Sequence, residues 1–323
     1  MSSDLFIKRV NSLASSKTPF FFLIDFEKNE PLVFSLEEAF EQQILFNVGG
    51  YSNYVQPSVS KKSYRLTPKP SSIDRYSLAF DLVQEHLKRG DSYLVNLTFP
   101  TEVVFDGNLK DLFYSSKSPY KLFFKDQFVS YSPECFVKIV SGKIYSYPMK
   151  GTISSSVINA EETILGNPKE IAEHATIVDL IRNDLSSYAK QVRVNRFRYV
   201  DQITSNDSNL LQVSSEIEGT LNEDWQGNLG NLIWDMLPAG SISGAPKPKT
   251  LEIIRSVEDG KRGYYTGVYG FFDGTNLDSA VAIRFIETHN QTFYYRSGGG
   301  ITSQSNCAEE YQELLDKIYV PTL

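Results

Sequence analysis

The chain has 323 residues, 41% of them hydrophobic, which is enough to bury a large core. Its 32 basic and 39 acidic residues give a net charge of −7 without a Lys/Arg cluster, which argues against nucleic acid or an anionic membrane as a partner. Two distant cysteines and three scattered histidines argue against a disulfide framework or a zinc site. The longest early apolar run, residues 20–24, is too short to span a membrane, so a cytoplasmic globular protein is predicted.

The predicted elements alternate between strands and helices. Residues 1–70 contain short strands and a helix from Ser35, but no motif that carries chemistry. An amphipathic helix is predicted from Ser72 to Arg89, followed by a strand in which Asn96 faces away from the fully apolar side. Four short strands are then predicted at residues 121–124, 128–131, 135–140 and 143–147.

Lys150 stands where a predicted strand breaks into a tight turn. Pro148 removes a hydrogen-bond donor, and Gly151 permits close approach of the backbone. A lysine held there can act as a nucleophile if burial lowers the pKa of its ammonium group toward neutrality. A solvated turn lysine is the alternative for this residue taken alone.

A predicted hairpin places a carboxylic acid beside Lys150. The turn dipeptide Ser141-Gly142 fixes the register of the two flanking strands. That register sets Glu134 opposite Met149, one position from Lys150, and facing residues have Cβ atoms about 5 Å apart. Glu134 and Lys150 are therefore predicted to work as an acid and an amine, with an ordinary cross-strand salt bridge as the alternative.

Two Glu-x-x-Glu pairs lie on separate predicted helices, one from Asn167 to about Asp184 and one over about residues 307–319. Residues three apart share a helical face, so each pair presents its two carboxylates together. Converging carboxylates repel unless a cation lies between them, and an all-oxygen set suits Mg²⁺ better than zinc. A solvated face is the alternative for each pair, and Glu313 with Lys317 has the spacing of a surface ion pair. The four carboxylates are Glu170, Glu173, Glu310 and Glu313.

Three further features predict anion binding. The segment from Pro238 to Lys247 offers backbone N–H groups and hydroxyls ahead of a predicted helix, with a Gly/Ser-rich linker as the alternative. Ser297 is followed by three glycines whose bare backbone leads toward the last predicted helix. Arg284 lies in an apolar strand predicted over residues 277–286, where an arginine needs an anionic partner.

Four ordered blocks of sequence carry a resemblance to a known family. Together they resemble the chorismate-utilising enzymes over about residues 72–319. That family includes anthranilate, isochorismate and salicylate synthases and component I of aminodeoxychorismate synthase. The blocks are Pro148–Thr152, Glu170–Asp184, Gly240–Lys247 and Glu310–Lys317.

The resemblance implies an α+β fold of two packed, largely antiparallel β-sheets with helices on the outer faces. It also implies one chorismate-binding enzyme domain over residues 1–323. Residues 1–70 match the family poorly, and residues 71–323 correspond to its catalytic core.

Lys150 separates the branches of this family. In the aminodeoxychorismate synthase branch the lysine of Pro-x-Lys-Gly-Thr is a covalent nucleophile, whereas other members usually carry alanine there. The resemblance therefore implies amination of chorismate at C4, for para-aminobenzoate and folate synthesis. Lys150 would attack C2 while Glu134 protonates the departing C4 hydroxyl, and ammonia would then add at C4 and expel the lysine. A separate glutamine amidotransferase subunit is the implied source of ammonia.

The resemblance also implies roles for other residues. Glu173 and Glu313 would hold Mg²⁺, with Glu170 and Glu310 acting through water, and the metal would bind the ring carboxylate. Asn96 stands where water-using members carry a lysine base, which favours ammonia as the second nucleophile. Contacts to the substrate are implied for Gly151, Thr152, Ser241, Tyr265, Arg284, Gly298, Gly300 and Lys317.

Two other functions remain open. Gln212 stands where anthranilate synthases carry a histidine linked to pyruvate elimination, which makes anthranilate a less favoured product. A related enzyme that makes anthranilate or isochorismate is one alternative. A non-catalytic chorismate-binding subunit is the other, and the products formed from chorismate, ammonia and Mg²⁺ distinguish them.

Overall fold

The computed structural model describes residues 1–57, 64–70, 72–204 and 209–321. Among these residues, no helix is long and apolar enough to cross a membrane. Short 3-10 turns occur at Trp225–Asn228 and Gly240–Ile242. The helices are α1 (Ser3–Ser15), α2 (Leu36–Glu41), α3 (Ile73–Arg89), α4 (Leu109–Ser115), α5 (Ala160–Gly166), α6 (Pro168–Ser186), α7 (Leu229–Asp235), α8 (Lys247–Val257) and α9 (Cys307–Asp316).

The described strands form two antiparallel sheets. One sheet has the order β11-β13-β10-β9-β16-β15-β1-β2, with β12 also paired to β13. The other has the order β14-β6-β18-β17-β8-β7-β3-β4, with β5 also paired to β6. In chain order the strands are β1 (Phe20–Ile24), β2 (Leu32–Phe34), β3 (Ile44–Val48), β4 (Tyr51–Ser52), β5 (Thr67–Lys69), β6 (Leu94–Val104), β7 (Tyr120–Phe124), β8 (Phe128–Ser132), β9 (Cys135–Val140), β10 (Lys143–Ser146), β11 (Met149–Ser154), β12 (Ala189–Thr204), β13 (Asn209–Leu221), β14 (Gly244–Ala245), β15 (Val268–Phe272), β16 (Leu277–Val281), β17 (Phe285–His289) and β18 (Thr292–Ile301).

The two sheets pack face to face, and helices cover their outer faces, as the α+β prediction requires. Phe21 on β1 points into the core between the sheets, where its ring stacks on Phe46 of the other sheet at 4.5 Å. Phe20 and Phe22 point to the opposite side, into the core that β1 shares with the helices. Each of these rings is fully buried, and burial of one such side chain stabilises the fold by about 2 kcal/mol.

Helix ends follow local signals in the sequence. The predicted helix from Ser35 is confirmed: the Ser35 hydroxyl accepts a hydrogen bond from the Glu38 N–H at 3.1 Å, and the Glu38 carboxylate accepts one from the Ser35 N–H. The predicted helix to Arg89 is confirmed as α3, which Gly90 ends with a φ of 81°.

The strand predicted over residues 277–286 is wrong in extent. It breaks into β16, which belongs to the first sheet, and β17, which belongs to the second. Arg284 lies at the crossing with a φ of 51°, a left-handed conformation that turns the chain. Both halves are apolar and buried, so the pattern of hydrophobic residues could not show where the chain changes sheets.

The glycine run after Ser297, predicted as bare backbone for anion binding, lies in a strand. Gly298, Gly299 and Gly300 lie inside β18 and pair with Thr98, Leu97 and Asn96 of β6. Their backbone groups therefore belong to a sheet ladder rather than to an open anion cradle. The low strand propensity of glycine is overridden by pairing along the full length of β6.

Candidate active site

Lys150 lies in a bulge of β11 rather than in the predicted tight turn. The pairing of β11 with β13 shifts between Met149 and Thr152, and Gly151 adopts a φ of 84°. A side chain at Gly151 would be strained by that φ, and its β-carbon would lie 2.9 Å from Glu170 Oε2. The bulge therefore requires glycine after Lys150 and brings the strand against helix α6.

The Lys150 ammonium is surrounded by negative charge. Its Nζ lies 3.3 Å from Glu173 Oε2, and the Lys150 side chain is 20% exposed. Burial lowers the pKa of Lys150, but Glu173, Glu313 and Glu170 together outweigh burial and raise it. The prediction that burial keeps this amine neutral is therefore wrong for this arrangement, because the nearby carboxylates stabilise the ammonium form.

The last two glycines of β18 bring both acidic helices to one place. A β-carbon at Gly299 would lie 3.4 Å from Glu310 Oε2 and 3.6 Å from Glu313 Oε1. A β-carbon at Gly300 would lie 3.4 Å from Glu173 Oε2 and 2.7 Å from Lys150 Nζ. Side chains from α6, α9 and β11 thus converge on two consecutive glycines, which leave the space that these groups occupy.

The acidic residues have the donor chemistry of a Mg²⁺ site, since every side-chain donor is a carboxylate oxygen. In the part of the chain that the structure describes, however, no three carboxylate, imidazole or thiol groups stand close enough together to hold a metal ion. Lysine ammonium groups balance the charge instead, with Lys150 beside Glu173 and Lys317 beside Glu313 at 2.7 Å.

Glu134 is a buried acid held next to β9. Its carboxylate accepts a hydrogen bond from the Ser241 hydroxyl, and Glu134 is 9% exposed. Burial raises the pKa of Glu134, opposed by the hydrogen bond from Ser241 and by the charges of Lys150 and Arg284. A carboxylic acid with a raised pKa, within electrostatic range of an amine, can donate a proton during a reaction at that amine.

The hairpin register is only partly as predicted. Val140 pairs with Lys143 in the structure, which confirms the two-residue turn. Met149, however, pairs with Ser214 of β13, so the predicted pairing of Glu134 with Met149 is wrong. The β9–β10 ladder ends before Pro148, which cannot donate to it, and β11 continues along β13 instead.

Asn96 faces the same space as Lys150. It pairs with Gly300 across the β6–β18 ladder, and paired residues project to the same face of a sheet. A β-carbon at Gly300 would lie 2.9 Å from Leu94 Cδ1 and 2.7 Å from Lys150 Nζ. Leu94 and Asn96 are two apart on one strand, so the Asn96 side chain shares the face that looks toward the lysine.

Arg284 provides a buried positive group. Its Nε is buried and has no hydrogen-bond partner among the described residues, while its guanidinium lies 5.2 Å from the Tyr319 ring centroid. Tyr265 is 4% exposed, and burial raises its pKa to about 12, opposed in part by Arg262. The arginine therefore retains a donor for an anion, and the tyrosine remains a neutral hydroxyl at physiological pH.

A family model described as "chorismate binding enzyme" matches residues 12–322. The chain belongs to the chorismate-binding enzymes. Its fold resembles the menaquinone-specific isochorismate synthase MenF of Escherichia coli, with a TM-score of 0.73 and 14% identity over 98% of this chain and 80% of that chain.

Curated relatives of this chorismate-binding enzyme carry several names. It is 50% identical over 317 residues to the "Uncharacterized PabA-like protein" of Haemophilus influenzae, covering 98% of this chain and 96% of that protein. Anthranilate synthase component 1 of Aquifex aeolicus is 31% identical, covering 72% of this chain and 49% of that protein. Aminodeoxychorismate synthase component 1 of Klebsiella aerogenes is 30% identical, covering 76% of this chain and 57% of that protein. Family membership is thus clear, while the reaction is not decided by similarity.

Lys317 and Thr152 are two further residues with an implied substrate contact. Lys317 is the C-cap of α9, so the helix ends before residue 319, the predicted end. Its Nζ donates a hydrogen bond to the Gly298 carbonyl at 2.8 Å. Burial lowers the pKa of Lys317, opposed by Glu313. Thr152 is exposed and pairs with Gln212 beyond the bulge.

His174 is a site residue that sequence analysis did not single out. It follows Glu173 on α6, is 1% exposed, and its Nε2 lies 2.6 Å from Ser215 Oγ. Burial lowers the pKa of His174 to about 4, with the charges of Arg198 and Lys150 acting in the same direction. The only available signal was its place directly after the second glutamate, and that spacing alone does not show burial.

Replacing His174 with glutamine is expected to reduce the acid sensitivity of the fold. Because the folded pKa lies below the unfolded value, only the unfolded chain gains this proton as pH falls from 6.5 toward 4. Wild-type stability should therefore fall by roughly 2 kcal/mol more than that of His174→Gln between pH 7 and pH 4.5. Urea unfolding at both pH values measures the difference. His289→Gln, at an exposed position, is the control and should behave like the wild type.

Proposed function

We propose that this protein aminates chorismate at C4 to 4-amino-4-deoxychorismate, for para-aminobenzoate and folate synthesis. The proposal rests on one observation: the Lys150 amine lies in a gap lined by glycine, within electrostatic range of the buried acid Glu134. A nucleophilic amine and a proton donor are the two groups that displacement of a ring hydroxyl through a covalent amine adduct needs.

The reaction has two balanced stages. In the first, the neutral Lys150 amine forms a bond to C2, both ring double bonds shift by one position, and the C4–O bond breaks, which leaves the adduct nitrogen positively charged. Glu134 supplies the proton with which the hydroxyl leaves as water. In the second, ammonia forms a bond to C4, both ring double bonds shift back, and the C2–N bond breaks, so that Lys150 leaves as a neutral amine. The ammonium group formed at C4 then gives a proton to the Glu134 carboxylate, which restores the acid, so no oxidant or reductant is needed.

Lys150 must lose a proton before it attacks, and its carboxylate neighbours oppose that loss. We propose that Glu173 and Glu313 hold Mg²⁺, with Glu170 and Glu310 acting through water. The bound cation would offset this negative charge and provide a ligand position for the ring carboxylate of chorismate. The all-carboxylate composition of the cluster supports this assignment.

Positive groups on the protein match the dianionic substrate. Arg284 Nε is buried with an unused donor, and Lys317 is partly buried, which lowers its pKa. Both suit a carboxylate that arrives from water, because a buried cation gains most from an anionic partner. We propose that they bind substrate together with Gly151, Thr152, Ser241, Tyr265, Gly298 and Gly300.

Ammonia would come from a glutamine amidotransferase partner. Asn96 faces the Lys150 space without offering a base, so an attacking water would find no proton acceptor at that position. Ammonia carries its own lone pair at high pH or when delivered unprotonated. The amide at position 96 therefore supports amination rather than hydration.

Anthranilate synthesis is the second candidate, because the Aquifex aeolicus relative has that name. Two residues argue against it. Gln212 stands where anthranilate synthases carry a histidine linked to pyruvate elimination, and Lys150 stands where members outside the aminodeoxychorismate synthase branch usually carry alanine. Gln212 pairs with Thr152 and Asp201 in its two ladders.

Product analysis tests the proposal. Protein incubated with chorismate, ammonium and Mg²⁺ is expected to form 4-amino-4-deoxychorismate, identified by chromatography and mass. Anthranilate or isochorismate as the main product would contradict the assignment. Unchanged chorismate, both with ammonium and with an added amidotransferase, would instead support a binding subunit. Heat-denatured protein is the control for uncatalysed decay of chorismate.

A further inference from the structure

Arg262 forms a buried ion pair that sequence analysis did not identify. The Arg262 side chain is 1% exposed, and its partner Glu258, four residues earlier and directly after the end of α8, is 6% exposed. The guanidinium donates to both Glu258 oxygens, from Nε at 2.8 Å and from Nη2 at 2.6 Å. This two-bond geometry is specific to arginine and carboxylate.

The other Arg262 donors reach two segments of the active site. Nη2 donates to the Asn96 carbonyl at 2.7 Å, and Nη1 donates to the Ile242 carbonyl at 2.9 Å and to Thr266 Oγ1 at 3.5 Å. With the two bonds to Glu258, all five guanidinium N–H groups are used. The side chain thus connects strand β6 to the short turn at 240–242.

Glu258 strengthens the connection from the other side. Its Oε1 accepts hydrogen bonds from the Thr98 backbone N–H at 2.8 Å and from Thr98 Oγ1 at 3.0 Å. The Asn96 N–H in turn donates to the Ser243 carbonyl at 2.9 Å. The pair therefore holds two positions of β6, while β6 also contacts the segment that carries Ser241.

Both connected segments present a group to the proposed chemistry. Ser241, in the turn, donates to the Glu134 carboxylate, and Asn96, on β6, faces the Lys150 space. The polar atoms of Arg262 and Glu258 are used within the pair, by backbone groups and by the hydroxyls of Thr98 and Thr266, so the pair keeps no unused donor for substrate. A buried ion pair adds little net stability compared with apolar residues of similar size, so its role here is better explained by geometry.

We propose that Arg262 and Glu258 are positioning residues that set the Ser241 turn and the Asn96 strand relative to each other, and so orient Glu134 toward the departing group. This inference rests on the proposed function. A small displacement of a proton donor is enough to slow a reaction about 100-fold. The pair would then act on the chemical step more than on substrate binding.

The test replaces the whole pair so that no buried charge is left alone. Arg262→Met with Glu258→Leu should melt within about 5 °C of the wild type, because paired removal of buried charges is tolerated. The kcat should fall about 100-fold, while KM for chorismate changes less than threefold, which is below about 1 kcal/mol. The matched control is Arg75→Met with Asp259→Leu, which removes an exposed ion pair whose acid, Asp259, directly follows Glu258 in the sequence. This control should keep the wild-type kcat.

Two further readouts separate positioning from general damage. The alkaline limb of the pH–rate profile should move to higher pH, because a weakened hydrogen bond from Ser241 favours the protonated form of Glu134. Amide hydrogen exchange should rise over residues 94–98 and 240–245 and stay unchanged elsewhere. If the double variant melts far below the wild type, Arg262→Lys is measured instead; it keeps the charge, loses the two-bond geometry, and should show the same pH and exchange changes.

The outcomes distinguish this inference from the proposed function. If the wild type makes a different product from chorismate, the proposed function fails. The kcat of the double variant is then compared with that of the wild type for formation of that product. If the wild type makes none, the exchange experiment decides. Any one of three results in the folded variant would overturn the positioning role. These are a kcat equal to that of the wild type, an alkaline limb of the pH–rate profile that does not move, and amide hydrogen exchange that is unchanged at both segments.

Discussion

Replacing Lys150 with alanine is expected to abolish both amination of chorismate and formation of a covalent adduct. Lys150 is the amine that lies in the glycine-lined gap, beside Glu173 and within range of Glu134. Without Lys150 no nucleophile remains to form the C2–N bond, so no electron pair is supplied to displace the C4 hydroxyl. Removal of the nucleophile from an enzyme that uses covalent catalysis abolishes nearly all of its rate.

Mass spectrometry measures this effect most directly. Wild-type protein mixed with chorismate and Mg²⁺, without ammonia, should gain the mass of chorismate less one water, and digestion should locate the added mass on Lys150. The alanine variant should gain nothing. Adding ammonium to the wild-type adduct should release it as product.

Two variants serve as controls for Lys150→Ala. Lys150→Arg keeps a cation beside Glu173 but cannot lose its proton, so it should fold normally and form no adduct. Lys317→Ala removes the other lysine of the carboxylate cluster and should weaken chorismate binding while adduct formation persists at saturating substrate. An intact amination rate in Lys150→Ala would show that another group attacks the ring.

Replacing Glu134 with glutamine is expected to lower kcat by about 10² to 10⁴-fold. Glutamine has nearly the same size and can still accept the hydrogen bond from Ser241, so the site should keep its shape. It cannot donate a proton to the departing hydroxyl. Because the hydroxyl leaves during the same stage in which Lys150 adds, adduct formation should slow by a similar factor, as rapid-quench mass spectrometry can show.

Ser241→Ala is the matched variant for Glu134→Gln. It keeps the acid but removes a hydrogen bond that lowers the Glu134 pKa. The pKa should therefore rise, Glu134 should remain protonated to higher pH, and the alkaline limb of the kcat profile should shift upward with a smaller loss of rate. Rapid adduct formation in Glu134→Gln would contradict the role of Glu134 as the proton donor.

Local sequence signals predicted the secondary elements well. The helix start at Ser35, the helix end at Arg89 and the turn at 141–142 depend on residues within a few positions, and each was found as predicted. Such signals are reliable because capping and turn geometry depend on backbone angles and hydrogen bonds close in the chain. Family motifs likewise named the residues that the fold brings around Lys150.

Long-range contacts were not predictable in the same way. Arg284 sits where the chain passes from one sheet to the other, and the apolar residues on either side look alike in both sheets. Gly300 reads as loop from its propensity, yet it pairs with Asn96 in a ladder formed by strands that are far apart in sequence. Partner strands, not local preference, decide such positions.

The charge state of the site is also a property of the folded molecule. Burial alone would have lowered the pKa of Lys150, as its sequence context suggests, but carboxylates from α6 and α9 reverse the sign. Arg262 reads as an ordinary charged residue near Gly263, yet it lies fully buried with every donor used. Motifs could identify the acid, the amine and the glutamates. The electrostatic effect of these groups on one another's pKa decreases with distance. The distances between them are set only when helices and strands remote in sequence pack together.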